Sequence, residues 1–96
     1  MGIYYHGTTE EKWQQIQHDG ELKPLTKDII RFQTNVLFVA NGPDIAKNYG
    51  SVVLEVNYNN VPCIVNNNSI AIFESIPYEN LRKLDENEIR KWIPIK

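Results

Sequence analysis

Cysteine is nearly absent from this chain. Cys63 is its single thiol, so no internal disulfide can form, and nothing in the cysteine usage requires an oxidising compartment. Long hydrophobic runs are missing too. VLFVA, residues 36–40, is typical of the longest, far short of the roughly 20 residues a membrane-spanning helix needs. The opening MGIYYHG has no basic region and no apolar core of a signal peptide, and His6 stands where a myristoylation signal needs Ser or Thr. A cytoplasmic protein without a membrane partner is the expectation. Positive charge is not in excess: 10 Lys and Arg face 12 Asp and Glu, giving a net charge of −2. That argues against a broad electrostatic grip on nucleic acid and leaves room only for a local basic patch. No GxGxxG, P-loop, HExxH or CxxC pattern occurs, so the common nucleotide and metal motifs are excluded, and no metal ligands are assigned.

What is present describes one domain. Ninety-six residues suffice for a single modest core, and 42% apolar with 23% charged residues is ordinary for a folded chain. IYYH, residues 3–6, is aromatic and β-branched and predicts a short strand. Thr8 or Thr9 then caps a helix, with Glu11 three residues after Thr8 as in a capping box; Trp13 and Ile16 share its inner side and Gly20 ends it. Residues 21–34 read as a long connection of mixed signals, a kind of loop that is often functional. VLFVA predicts a strand, and Pro43 opens a short helix that Gly50 closes. SVVLEVNY, residues 51–58, alternates as a strand with one buried face, carrying Val52, Leu54 and Val56. VPCIV and SIAIFESI follow as strands, ENLRKL as a strand or turn, and DENEIRKWI as a final helix with Ile89, Trp92 and Ile93 inward. The order β-α-loop-β-α-β-β-β-α gives an α+β class with a mainly antiparallel sheet.

Composition by itself goes no further. A histidine at a strand end is by default a structural hydrogen-bonder, His18 reads as a surface residue, and Cys63 in its apolar strand reads as a small core residue. Tyr4, Tyr5, Trp13, Phe38 and Tyr49 are compatible with plain core packing, and KLDENEIRK with a solvated helix face.

Three stretches taken in order say more. YYHGTT, then LFVANGPDIAKNYGSVVLEV, then SIAIFESIPYENL, resemble the ADP-ribosyltransferase superfamily in its diphtheria-toxin-like and poly-ADP-ribose polymerase-like branch, in a minimal bacterial or phage form. The first supplies His6-Gly7-Thr8 at the end of the first strand. The second supplies Leu37 to Ala40 leading into Ala46-Lys47-Asn48-Tyr49, and the third an Ile-Pro-x-Glu ending at Ile76 to Glu79. Together they cover most of the chain.

The resemblance implies a small split antiparallel sheet with short flanking helices, spanning residues 1–96, and NAD as substrate. His6 would bond a ribose hydroxyl, and Gly7 would let the backbone approach the nicotinamide carboxamide. Thr8 would add a third contact, and Phe38 and Tyr49 would sandwich the pyridinium ring. Arg31 or Lys27 in the long connection would meet the pyrophosphate. His6 and Glu74 would be the catalytic residues. Two departures from the family pattern stand out. Phe38 replaces a tyrosine, keeping the stacking face and losing a hydroxyl. The family's glutamate position falls near Asn68 or Ser69, neither acidic, which leaves Glu74 as the nearest acid on that strand and Glu79 beyond the proline. A carboxylate is needed there to stabilise the oxocarbenium-like state as nicotinamide leaves.

Four functions follow as expectations. The first is an NAD-dependent mono-ADP-ribosyltransferase acting on a protein or nucleic-acid target, as a toxin-like or phage-encoded effector. The second is a non-catalytic module of the same fold that binds NAD or ADP-ribose or inhibits a partner. An RNA 2′-phosphotransferase relative ranks below both, because the acidic chain offers few basic residues for such a cleft. A purely structural domain completes the set.

Overall fold

The computed structural model describes residues 2–29, 32–66 and 69–91. Its first elements are strand β1 (Gly2–Thr8), helix α1 (Glu10–Asp19), β2 (Glu21–Leu22), β3 (Leu25–Ile29) and β4 (Phe32–Val39). Helix α2 (Pro43–Ala46) runs into a 3-10 turn, Lys47–Tyr49, before β5 (Val52–Tyr58), β6 (Cys63–Asn66), β7 (Ser69–Ile72) and β8 (Ile76–Pro77). A second 3-10 turn, Tyr78–Asn80, β9 (Leu81–Lys83) and α3 (Glu86–Arg90) complete them. The class is α+β with antiparallel sheets.

Helix α1 starts where Thr9 turns extended and its hydroxyl accepts the Lys12 amide at 3.2 Å. Thr9, not Thr8, is therefore the cap. The helix stops at Gly20, whose φ of 79° is the left-handed conformation glycine adopts without penalty. Trp13 and Ile16, three residues apart, are its buried residues. Helix α3 carries a full capping box between Asp85 and Glu88; Trp92 and Ile93, expected to extend it, lie outside the described residues.

Strand β5 is the spine. It pairs with β1 over seven positions, from Gly2↔Tyr58 to Thr8↔Val52, and with β9 on its other edge. A second sheet has the order β3-β4-β7-β6, and β2 and β8 form a two-residue ladder of their own. The main core packs Leu54 and Val56 of β5 with Leu37 and Val39 of β4, Ile70 and Ile72 of β7, and the inner side of α1. The opposite face of β5 is buried at one end only. Val53 is fully enclosed, with Tyr5, Ala40, Ala46, Leu84 and Ile89 forming a second cluster on that side. The one-faced strand expected from alternation holds at Glu55, half-buried, and Asn57, exposed, and is corrected at Val53 alone, which the second cluster covers.

Three further expectations are corrected. Residues 21–29 are not a loop but β2 and β3, the latter paired with β4 from Leu25↔Val36 to Ile29↔Phe32. The segment 69–76 is not one strand, since β7 ends at Ile72 and Ile76 pairs elsewhere, with Leu22. Cys63 is exposed rather than core. Its strand β6 sits at a sheet edge, where Ile64 and Val65 are exposed too. Among the described residues no helix is long and apolar enough to cross a membrane.

Candidate functional site

Among the described residues, the two larger sheets are hydrogen-bonded to each other through a single backbone bridge. Tyr5 of β1 and Ala40, just after β4, form an isolated antiparallel bridge, with Tyr5 N donating to Ala40 O at 2.9 Å and Ala40 N to Tyr5 O at 2.7 Å. Beyond that bridge the strands part. His6, Gly7 and Thr8 on β1 then face Leu37, Phe38 and Val39 on β4 across a gap that no ladder closes.

Strand geometry dictates what faces this gap. The N–H and C=O of one residue in an antiparallel strand point to the same edge, and successive residues alternate. Tyr5 spends both groups on Ala40, so the N–H and C=O of Gly7, two residues on, are aimed at the same edge with no strand to receive them. Side chains alternate likewise: Tyr5 joins the cluster under α2 and α3, while Tyr4 packs on the main core. His6 reaches across instead, its Nδ1 lying 2.8 Å from the carbonyl oxygen of Phe38. Burial holds the imidazole pKa below its ordinary 6.5; the bond to the Phe38 carbonyl opposes this and the nearby Lys12 charge reinforces it. At neutral pH the ring is therefore neutral. A carbonyl only accepts, so Nδ1 carries the hydrogen and Nε2 keeps a free lone pair.

The gap opens into a cleft of about 670 Å³, a size typical of small-molecule sites. Its lining brings together His6, Gly7, Thr8, Phe38 and Tyr49, from three separate elements. Phe38 is 37% and Tyr49 66% exposed, so both offer ring surface, whereas Thr8 is buried at 4%. Gly7 has a packing reason to be glycine. A Cβ there would stand 1.9 Å from the carbonyl oxygen of Ala46 and 3.1 Å from Cβ of Tyr49. The missing side chain lets α2 and its following turn lie directly on β1, which sets Tyr49 beside the strand end. Gly50 seats the same turn from below, since a Cβ on it would lie 2.1 Å from the Thr8 carbonyl oxygen.

The other sequence candidates lie elsewhere. Glu74 is not among the cleft-lining residues. Its Oε1 accepts from Nδ2 of Asn60 at 2.8 Å, and it hydrogen-bonds Tyr58, whose phenol pKa is raised first by burial and then by that carboxylate. Arg31 and Asn68 lie outside the described residues, as does the side chain of Lys27. Conversely, Lys12, Gln15, Asp19 and Glu21 line the cleft without having been singled out from sequence. Lysine, glutamine and acidic residues are common on helix surfaces, and only Glu21 had a local marker, directly after the helix-ending Gly20. Among the described residues no group of three or more His, Cys, Asp or Glu could hold a metal ion. Comparison with protein-family models, with curated proteins and with solved structures finds no match for this chain.

Proposed function

We propose that this cleft binds the nicotinamide-ribose half of NAD and that the chain is an NAD-dependent, ADP-ribosyltransferase-like protein acting on a protein or nucleic-acid target. One observation carries the reading: the parting of β1 from β4 leaves the N–H and C=O of Gly7 aimed into a cleft flanked by Phe38 and Tyr49. A carboxamide presents an acceptor oxygen and N–H donors, the complement of those two backbone groups. The aromatic faces suit a cationic pyridinium, an interaction of about 0.5–2 kcal/mol. Nε2 of neutral His6 accepts from a ribose hydroxyl, and Thr8 lines the same corner.

The position of Glu74 favours a second reading, a module of the same fold that holds NAD or ADP-ribose without cleaving it. Titration calorimetry of NAD into the wild-type protein and His6→Ala, with nicotinamide release followed in the same samples, tests both. Binding that His6→Ala weakens tenfold or more, about 1.4 kcal/mol, supports the site. Release of nicotinamide then selects the enzyme, and its absence the binding module. Wild-type protein that ignores NAD refutes the proposal.

A further inference from the structure

Charge guards two of the strand edges of this fold, and a third goes without it. In the three-stranded sheet, edge strand β9 carries Arg82 and Lys83, which reach Glu55, Glu88 and Glu10 in ion pairs. In the four-stranded sheet, edge strand β3 carries Lys27 and Asp28. The opposite edge of that sheet is β6, and no Asp, Glu, Lys or Arg occurs between Glu55 and Glu74. Charged edges repel an approaching strand; an uncharged one receives it.

The same segment is where apolar side chains meet solvent. Val61 is 93% exposed, Ile64 75%, Phe73 57% and Val65 56%, and Cys63 is exposed beside them. All lie on the β6–β7 pair or its immediate flanks, since β6 runs against β7 from Cys63↔Ala71 to Asn66↔Ser69. Val61 and Phe73 extend from the same end of that pair. Ile70 and Ile72 of β7 are anchored in the main core, while no described strand pairs with the outer edge of β6. Clustered in this way, exposed apolar side chains mark an interaction surface.

The lack of charge also selects the occupant. A surface that pairs with itself about a twofold axis sets like charges near one another at the axis, so an uncharged edge is the one that matches itself. We propose that β6 is the contact of a symmetric dimer, in which the β6 edges of two copies lie antiparallel about a twofold axis. Glu74, the next acid along the chain, is held by Asn60 and Tyr58 at the Val61 end of the pair, and the antiparallel arrangement turns it away from its mate. The pairing consumes both β6 edges, so assembly closes at two chains. A β-bulge between Ile64 and Asn66 bends the strand and shortens the ladder, which leaves most of the contact to the apolar side chains. Such a contact falls short of the roughly 20–30 residues a side of a stable interface, and the dimer forms at high protein concentration. Phe38 of the cleft is two strands away from β6, and the dimer stands independently of what the cleft binds.

Sedimentation equilibrium of wild type, Ile64→Lys and Ile3→Lys, from micromolar to millimolar concentrations, tests this. Both variants place lysine at an exposed position, and circular-dichroism melts check that they fold. We expect wild type to fit a monomer–dimer equilibrium. Ile64→Lys should raise its dissociation constant tenfold or more, and Ile3→Lys, on the other sheet, should leave it within twofold. Strand spacing sets the two Cys63 residues roughly 5–12 Å apart in such a dimer. A flexible bismaleimide should therefore bridge them in wild type and fail to do so in Ile64→Lys; the wild-type result decides the matter where that variant does not fold. Wild-type protein that stays monomeric throughout overturns the proposal and leaves the edge to a partner of another sequence. A dimer that Ile64→Lys leaves intact, that Ile3→Lys dissociates, or whose Cys63 thiols resist bridging overturns it by placing the contact elsewhere. Assembly that continues beyond two chains overturns it too.

Discussion

Replacing Gly7 by alanine tests the close packing on which the cleft depends. A Cβ at this position falls 1.9 Å from the carbonyl oxygen of Ala46 and 3.0 Å from its carbonyl carbon. A carbon and a carbonyl oxygen settle at about 3.3 Å or more, so β1 and the end of α2 must separate by more than an ångström. Neither yields easily, because β1 is laddered to β5 over seven positions and Gly50 seats the far side of the same turn against Thr8. Overpacking of this kind costs about 1–3 kcal/mol, and the lower entropy of the unfolded alanine chain returns about 0.4–1 kcal/mol. A net loss of about 1–2 kcal/mol lowers the melting temperature of a domain this size by roughly 4–16 °C. Calorimetric or circular-dichroism melts of wild type and Gly7→Ala measure it. Gly20→Ala is the contrasting variant, since nothing lies within 4 Å of its Cβ and its cost comes from the left-handed backbone alone, about 1 kcal/mol. NAD affinity should fall in Gly7→Ala, which moves Tyr49, and hold in Gly20→Ala. A Gly7→Ala melting temperature within about 2 °C of wild type would refute the packing argument.

Two further outcomes follow from the same corner. The folded state depresses the His6 pKa below its unfolded 6.5; the unfolded chain therefore binds the proton more readily. The stabilisation from neutral His6 is complete above the unfolded value and is lost as pH falls through the folded one. Wild-type stability should decline more than that of His6→Gln between pH 7 and pH 5 in melting experiments; parallel curves would contradict the assignment. Phe38→Ala should weaken NAD binding by about 0.5–2 kcal/mol in calorimetry and, because the ring is 37% exposed, lower the melting temperature less than a fully buried phenylalanine would; unchanged affinity would remove Phe38 from the site.

The sequence disclosed elements whose causes are local and missed those whose causes are distant. Helix α1 was legible because its threonine cap, the Trp13–Ile16 spacing and Gly20 all sit within a dozen residues. Residues 21–22 carry no periodicity, and they become a strand only because Ile76 and Pro77 arrive beside them. The buried state of Val53 is equally invisible from alternation, since the cover comes from Tyr5, Ala46, Leu84 and Ile89. Cys63 shows the reverse error. An apolar run predicts burial, yet an edge strand leaves such a run exposed when no element packs over it. At the site, five of the residues that the resemblance singled out meet in one cleft, whereas Glu74 does not, because β7 ends at Ile72 and releases the chain before that position.

Gly7 also shows why a motif and a site are different evidence. Read as a motif, His-Gly-Thr suggests that glycine is there for a ligand. The space its Cβ would fill is already occupied by the Ala46 carbonyl, so packing alone accounts for the residue. What points to a ligand is the backbone on its other side. β1 is in register with β5 over seven positions, so every second residue is satisfied along that edge, and Tyr5 is satisfied by Ala40 along the other. Gly7 follows with a donor and an acceptor that a closed sheet would have consumed, and buried backbone groups rarely go without partners. On the proposed reading, a sheet that stays open at this point, with His6 already bonded across it to Phe38, keeps its unpaired edge for the nicotinamide carboxamide.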